Sequence, residues 1–329
     1  MISIDIASTI LQNYGVNNNV KSIDIIQNNE SAYRERKVYS ICTSNGNRYI
    51  CKMSRGEYTK DIIEMQCKFA MLLFNEKIST ARKYDRDGEY VTEFIQNGKS
   101  YYLTLEQYIG EDIKQITIDV FAFLGNILGK MHMISENNNQ FSEFTIIKKA
   151  ILQGNAKFEN ILKNANMGLP YTSSISECIR RHNRLVDKLK NNWDRLPHGI
   201  VHGDLGAFNN LINMGDNIGI IDFNLAADET FLGDVIATFY ASLHKYSWRE
   251  QLSAISEAEA KKVYFKEYTK VRPFTEEEKQ IFMETSALFD GLFYSKAIIE
   301  EWNLKKDLTV LDKFDEAVLR FDIERHRIK

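Results

Sequence analysis

One change of periodicity divides this 329-residue chain. Up to about residue 108 the apolar residues form short strand-like runs around a long helical stretch, and from Asp112 onward they recur at helical spacing. Two Asn-Gly pairs fix the first region. Asn45-Gly46 joins the runs 38–43 and 48–53, and Asn97-Gly98 joins 90–95 and 100–105. Asn-Gly tolerates positive φ and so marks tight hairpins. With the run 22–26, this predicts an antiparallel sheet of about five strands. Helices are predicted over 3–14, closed by Gly15, and over 59–75. The fold class is therefore α+β, with an N-terminal sheet lobe over 1–108 carrying one internal helix and a mostly helical region over 109–329. Helical patterns cover 120–131, 148–165, 175–193, 249–270, 275–302 and 307–325, around one strand-rich island at 199–223.

Charge and composition narrow the class. The 42 Lys+Arg against 45 Asp+Glu leave a formal charge of -3, which argues against a dedicated nucleic-acid binder. Cys42, Cys51, Cys67 and Cys178 form no C-x-x-C pair and no zinc spacing, so reduced thiols are expected. No basic segment followed by an apolar run opens the chain, and no run reaches the roughly 18 apolar residues of a membrane span. A soluble cytoplasmic protein is expected.

The island carries the chemistry. Val201-His202-Gly203-Asp204 precedes a glycine-containing loop, Asn209 stands just before a strand, and Asp222 ends the next strand. A tight hairpin brings its outer ends together, so Asn209 and Asp222 can face one small volume beside the loop that holds Asp204. Carboxylate and amide oxygens are hard ligands suited to Mg²⁺ alongside phosphate oxygens. A further aspartate can orient a hydroxyl and accept its proton. Two metal-holding groups and a base are the parts phosphoryl transfer requires.

His202-Gly203-Asp204 with Asn209, followed by Ile221-Asp222-Phe223, resembles the catalytic motif of the aminoglycoside phosphotransferase and choline kinase superfamily. The resemblance extends over about 52–237. Lys52, in Ile50-Cys51-Lys52-Met53, is similar to the lysine that holds the α- and β-phosphates, and Glu64 to the glutamate that pairs with it. Glu106-Gln107-Tyr108-Ile109-Gly110 resembles the segment whose backbone meets adenine, which makes Glu106 and Tyr108 candidates there. Leu124, Leu128, Met131 and His132 match the L-x-x-L-H helix end, and Gly233-Asp234 matches the aspartate that braces the catalytic loop.

The resemblance implies a two-lobed protein-kinase-like fold. It also implies ATP or GTP as phosphate donor, Mg²⁺ on Asn209 and Asp222, and Asp204 orienting the acceptor hydroxyl. The segment 28–35 contains no glycine, so Ser31 and neighbouring amides are the candidates for covering the phosphates. His202 is expected to hydrogen-bond the loop, and His132 to pack at its helix end. H-G-D in place of H-R-D, with no A-P-E segment, favours a small hydroxyl compound over a protein substrate. An aminoglycoside-type acceptor is the first expectation, with a homoserine- or choline-kinase-like metabolite enzyme as the alternative. Candidates for an acceptor contact are Asp228, Glu229, Asp290, Glu300, Glu301 and Trp302, since acids near an aromatic suit a cation. A catalytically weak pseudokinase scaffold is disfavoured because Lys52, Asp204, Asn209 and Asp222 are all present.

Overall fold

The computed structural model describes residues 2–30, 35–56, 58–139, 141–149, 173–206, 208–215 and 217–327. The chain forms two compact units, Met1–Asp112 with Leu211–Asn224, and Ile113–Asn210 with Leu225–Lys329.

In the first unit, helix α1 (Ile4–Asn13) is capped by the Ser3 hydroxyl and ends at Gly15, whose φ of +72° suits only a residue without a Cβ. Strands β1 (Val20–Glu30), β2 (Glu35–Thr43), β3 (Arg48–Arg55), β4 (Lys83–Tyr84), β5 (Thr92–Gln96) and β6 (Lys99–Gln107) follow, with helix α2 (Lys60–Asn75) between β3 and β4. The sheet runs β1-β2-β3-β6-β4, with β5 also paired to β6, and every pair is antiparallel. It has six strands, not five, because the two residues of β4 are too few for alternation to show. Asn97 (φ 52°) and Gly98 (φ 73°) both turn left-handed, as a two-residue hairpin demands. Tyr39, Ile41, Cys51, Met53, Leu103 and Leu105 bury one face of this sheet against Ala7, Ile10 and Leu11 of α1. A second, three-stranded sheet joins β7 (Glu111–Asp112) to the hairpin β9 (Leu211–Asn213) and β10 (Ile218–Ile220).

The island thus divides between the units. Strand β8 (His198–Val201) belongs to the second unit, where it pairs with β11 (Ala227–Thr230). The helices there are α3 (Ile118–Asn137), α4 (Ser173–Trp193), α5 (Phe231–Leu243), α6 (Glu257–Val271), α7 (Glu276–Lys305) and α8 (Lys313–Arg320). The pattern at 249–270 is one helical turn (Arg249–Leu252) and then α6, separated where the Ser256 hydroxyl caps α6. The pattern at 307–325 breaks into short 3-10 turns on either side of α8. Most of the helix expected over 148–165 lies outside the described residues. Among the described residues no helix is long and apolar enough to cross a membrane. All four cysteines are free thiols, and Cys51, Cys67 and Cys178 are buried.

Helices α3 and α6 cross at close range because α3 presents glycines there. A Cβ on Gly125 would stand 2.1 Å from the Tyr264 carbonyl oxygen. Gly125→Ala is therefore expected to destabilise the protein by about 1–3 kcal/mol, the usual cost of overpacking a tight contact. A chemical-denaturation midpoint equal to that of the parent would contradict this packing.

Candidate functional site

Lys52 lies on β3 opposite Thr104 of β6. Its ammonium is 3.1 Å from Glu106 Oε1 and 3.2 Å from Asp222 Oδ1. Asp222 follows β10 with a φ of 64°, a conformation that L-residues rarely adopt. Three contacts hold it there. Arg36 donates to both carboxylate oxygens, at 3.0 and 3.2 Å, and the Asn224 side-chain amide donates to Oδ1. Gln66 of α2 in turn donates to the Asn224 carbonyl at 2.6 Å. The neighbouring Phe223 meets Phe69 of α2 edge-on at 6.1 Å.

Glu106 is 3% exposed, and its second oxygen takes the buried Lys83. Burial, and to a lesser degree the nearby Lys52 charge, pushes the Lys83 ammonium down to about 8, while Cys67 and Asp222 oppose that shift. Three cations (Lys52, Arg36 and Lys83) thus share two carboxylates (Asp222 and Glu106) within the first unit.

The expected partner of Lys52, Glu64, is engaged elsewhere. Its carboxylate accepts the backbone N–H groups of Tyr90 and Val91, each at 3.0 Å. Helix α2 turns Ile63, Gln66, Cys67 and Ala70 inward, and Glu64 lies one residue off that face. Glu106 takes its place as the lysine partner, so its side chain is a counter-ion. The Tyr108 N–H donates to the Arg48 carbonyl at 3.1 Å, so that amide is already engaged, and the Arg48 guanidinium stacks 4.0 Å from the Tyr108 ring. Ser31 lies outside the described residues. Arg36 and Lys83 went unnoticed in the sequence because no local pattern marks them; strand register alone brings them to Asp222 and Glu106.

In the second unit, Asp204 stands in the loop after β8. Gly203 has φ +78°, and a Cβ there would lie 2.3 Å from the Leu225 carbonyl oxygen, so only glycine fits. His202 is fully buried and its Nδ1 accepts the Asp204 N–H at 3.3 Å, the loop-holding contact expected of it. The Asn210 amide donates to the Asp204 carbonyl at 2.8 Å and to Oδ2 at 3.2 Å. Asn210 was not singled out in the sequence; only the Asn209-Asn210 doublet hinted at it. Asn209 shares the same 3-10 turn (Phe208–Asn210), and its side chain lies outside what the structure describes.

The brace expected of Asp234 runs to a different partner. Its carboxylate meets His132 Nε2 at 3.0 Å, while His132 Nδ1 meets the Tyr268 hydroxyl at 2.9 Å, tying α5 to α3 and α6. Burial pushes the His132 imidazole down, and the Asp234 contact opposes that shift.

The acidic acceptor candidates are mostly occupied. Asp228 binds His198 (2.6 Å) and the Ser142 N–H (2.8 Å). Glu229 accepts the N–H groups of Ile146, Ile147 and Lys148. Asp290 is held by His244 and Arg320, and Glu301 by Arg249, Lys305 and Lys313. Trp302 is buried, and Glu300 is half-buried. Among the described residues no group of three His, Cys, Asp or Glu side chains could hold a metal by itself.

The model of the phosphotransferase enzyme family matches residues 26–274, and the chain belongs to that family. It is 26% identical over 215 residues to a homoserine kinase of Janthinobacterium sp. (strain Marseille), a match covering 62% of this chain and 61% of that protein. The chain spans less than two thirds of the length of the curated relatives it matches. Its fold is that of solved small-molecule kinases. A microcompartment-associated aminopropanol kinase superposes with a TM-score of 0.67 at 16% identity, covering 98% of this chain and 97% of that one. The amicoumacin kinase hAmiN in complex with AMP-PNP and Ca²⁺ gives 0.62 at 16% identity, with coverage of 92% and 88%.

Removing the charge of Glu106 strands the buried Lys83 ammonium and leaves Lys52 with Asp222 alone. Glu106→Gln is expected to destabilise the protein by about 3–5 kcal/mol, the range for breaking a buried ion pair. Glu64→Gln keeps one amide acceptor and is expected to cost only about 1–2 kcal/mol. Denaturant titrations of the two variants side by side check the ranking; a larger loss for Glu64→Gln would reverse the assignment of the lysine partner.

Proposed function

We propose that this protein transfers the γ-phosphoryl group of ATP or GTP to a hydroxyl of a small molecule. The observation that carries this reading is the surplus of positive charge around Asp222. Lys52, Arg36 and Lys83 outnumber their carboxylates, so adding a divalent cation there requires a polyanion to arrive with it. A nucleoside triphosphate is such a polyanion. Its phosphates draw Lys52 and Arg36 off Asp222, which frees the carboxylate to act as an oxygen donor. Asp222 and Asn209 are the residues that would hold Mg²⁺. When bound, the metal neutralises charge between the β- and γ-phosphates.

Arg36 does part of the work that a glycine-rich loop does elsewhere, with Ser31 as a further candidate. Asp204 orients the acceptor hydroxyl and takes its proton as the bond to phosphorus forms, and the Asn210 amide fixes the carboxylate rotamer. The transition state is loose, so positioning and charge stabilisation supply most of the rate.

The acceptor reading moves from a polycationic aminoglycoside toward a small hydroxyl metabolite of the homoserine or amino-alcohol kind. Asp290 and Glu301 are already paired with basic side chains, and Asp228 and Glu229 are buried and hydrogen-bonded within the chain, which leaves little acidic surface for a polycation. The similarity to a homoserine kinase points the same way. A nucleotide donor places the work in the cytoplasm.

Nucleotide consumption measured against homoserine, aminopropanol, choline and aminoglycosides tests the function, with either ATP or GTP as donor. Turnover with one small acceptor is expected; phosphorylation of proteins alone, or no turnover with any acceptor, would overturn it. Asp204→Asn should lower kcat about 10²–10⁴-fold with nucleotide affinity nearly unchanged, since it removes a positioned proton acceptor. Lys52→Met and Arg36→Ala should each raise the nucleotide KM at least tenfold. In a thermal-shift assay Mg²⁺ alone should leave Tm unchanged, whereas Mg²⁺ with AMP-PNP should raise it. A rise with Mg²⁺ alone would contradict the charge argument.

A further inference from the structure

The second unit contains a cavity of about 320 Å³, bounded by the end of α5, the turn that follows it, α7 and α8. Its floor pairs Arg320 with more than one carboxylate. Arg320 bonds to the fully buried Asp290 at 3.0 Å and to Glu257 at 3.2 Å, and its guanidinium lies 4.3 Å from the Tyr294 ring. His244 holds the same Asp290 carboxylate at 2.6 Å.

The rim is not balanced. Glu301, 5% exposed, receives Arg249 at 3.0 Å and both Lys305 and Lys313 at 2.6 Å. Burial alone would raise the Glu301 carboxyl, but hydrogen bonds from Lys305, Lys313 and Arg249 outweigh it and hold the group at about 2. One carboxylate among three cations leaves positive charge uncompensated, and Lys245 lines the same space. Arg249 and Lys313 are each 45% exposed, so both can reach a ligand without unfolding anything. The Arg249 guanidinium is also set in place by the Tyr246 ring, 4.7 Å away. Leu243, Leu252, Ile255 and Ile298 make the remaining wall apolar.

We propose that this cavity binds a small organic anion, whose acidic group is taken by Arg249 and Lys313 at the Glu301 rim and whose apolar body lies against Leu252 and Ile298. A planar guanidinium beside an ammonium matches the oxygens of a carboxylate or phosphate. The volume is at the lower end of the roughly 300–1,000 Å³ of small-molecule sites, which selects a metabolite-sized ligand. The site is connected to the Asp204 loop. Trp248, in the turn that walls the cavity, packs edge-on against Phe208 at 6.0 Å. Gly206 lies so close to α5 that a Cβ there would stand 2.8 Å from the Ala241 Cβ and 2.9 Å from the Thr238 carbonyl oxygen. Occupancy therefore bears on the turn that carries Asn209 and Asn210.

The test uses the full chain with citrate, hexanoate and phenyl phosphate as probes, followed by calorimetry and tryptophan fluorescence. At least one probe is expected to bind and to change the Trp248 emission. The Arg249→Gln/Lys313→Gln double variant should weaken that probe at least tenfold, and Lys52→Met should leave its Kd unchanged. Glu301→Gln, which removes the carboxylate between Arg249, Lys305 and Lys313, should tighten binding if circular dichroism shows the variant folded. Trp248→Phe should abolish the fluorescence change while calorimetric binding persists. Absence of binding by all three probes at millimolar concentration would overturn the proposal. So would binding that is lost in Lys52→Met and kept in the double variant.

Discussion

Lys52 is held by two carboxylates that come from different parts of the chain: Glu106 from the adjacent strand β6, and Asp222 from the loop after β10. That ammonium joins the six-stranded sheet to the small hairpin of the same unit. Such a pair gives little net stability, because desolvation cancels most of the Coulomb gain. What it gives is register and orientation. With Arg36 on Asp222 and Lys83 on Glu106, the charges form a chain whose surplus is positive, and a chain of this kind is completed by an anion, not by another cation. The proposed phosphate-bearing ligand rests on this surplus.

Much of this was legible in the sequence. Hairpins are written locally: Asn97-Gly98 turned as its residues demand, and Ser3, Thr59 and Thr275 each cap the helix that follows them. The short segment around His202, Gly203 and Asp204 was legible for the same reason, since Gly203 tolerates no other residue. The pairing of Lys52 was not. It depends on which face of α2 turns inward and on how β3 and β6 align, and a shift of one residue decides between Glu64 and Glu106. Strand β4 was hidden by its length, and it brought Lys83 with it. Asn210, which holds the Asp204 carboxylate, stands one position in a 3-10 turn from Asn209, the residue expected to hold Mg²⁺.

The acidic residues of the helical region show a different limit. In sequence, Asp290 and Glu301 resemble a cation-binding surface. In the folded unit their charges are consumed by His244, Arg320, Arg249, Lys305 and Lys313. Residues far apart in the chain supply these partners, so no sequence window contains the cancellation. The outcome reverses the sign of the surface: around Glu301 the excess is basic.

Two positions at the proposed site have left-handed backbones. Gly203 and Asp222 both adopt positive φ, at 78° and 64°. For Gly203 the conformation costs little beyond chain entropy, because it has no Cβ. For Asp222 it costs roughly 1–2 kcal/mol, the penalty for an L-residue in the left-handed region. Nothing in the hairpin itself requires that conformation, but it aims the carboxylate at Lys52 and Arg36 and lets Asn224 reach back to the same oxygen. The cost is offset by those contacts only while they persist. A ligand that drew the two cations away would have to replace them with other positive charge, which the proposed Mg²⁺ on Asp222 would supply. The left-handed Asp222 is held both by charges that a ligand could exchange and by its neighbours, through the packing of Phe223 on Phe69 and the Gln66 bond to the Asn224 carbonyl.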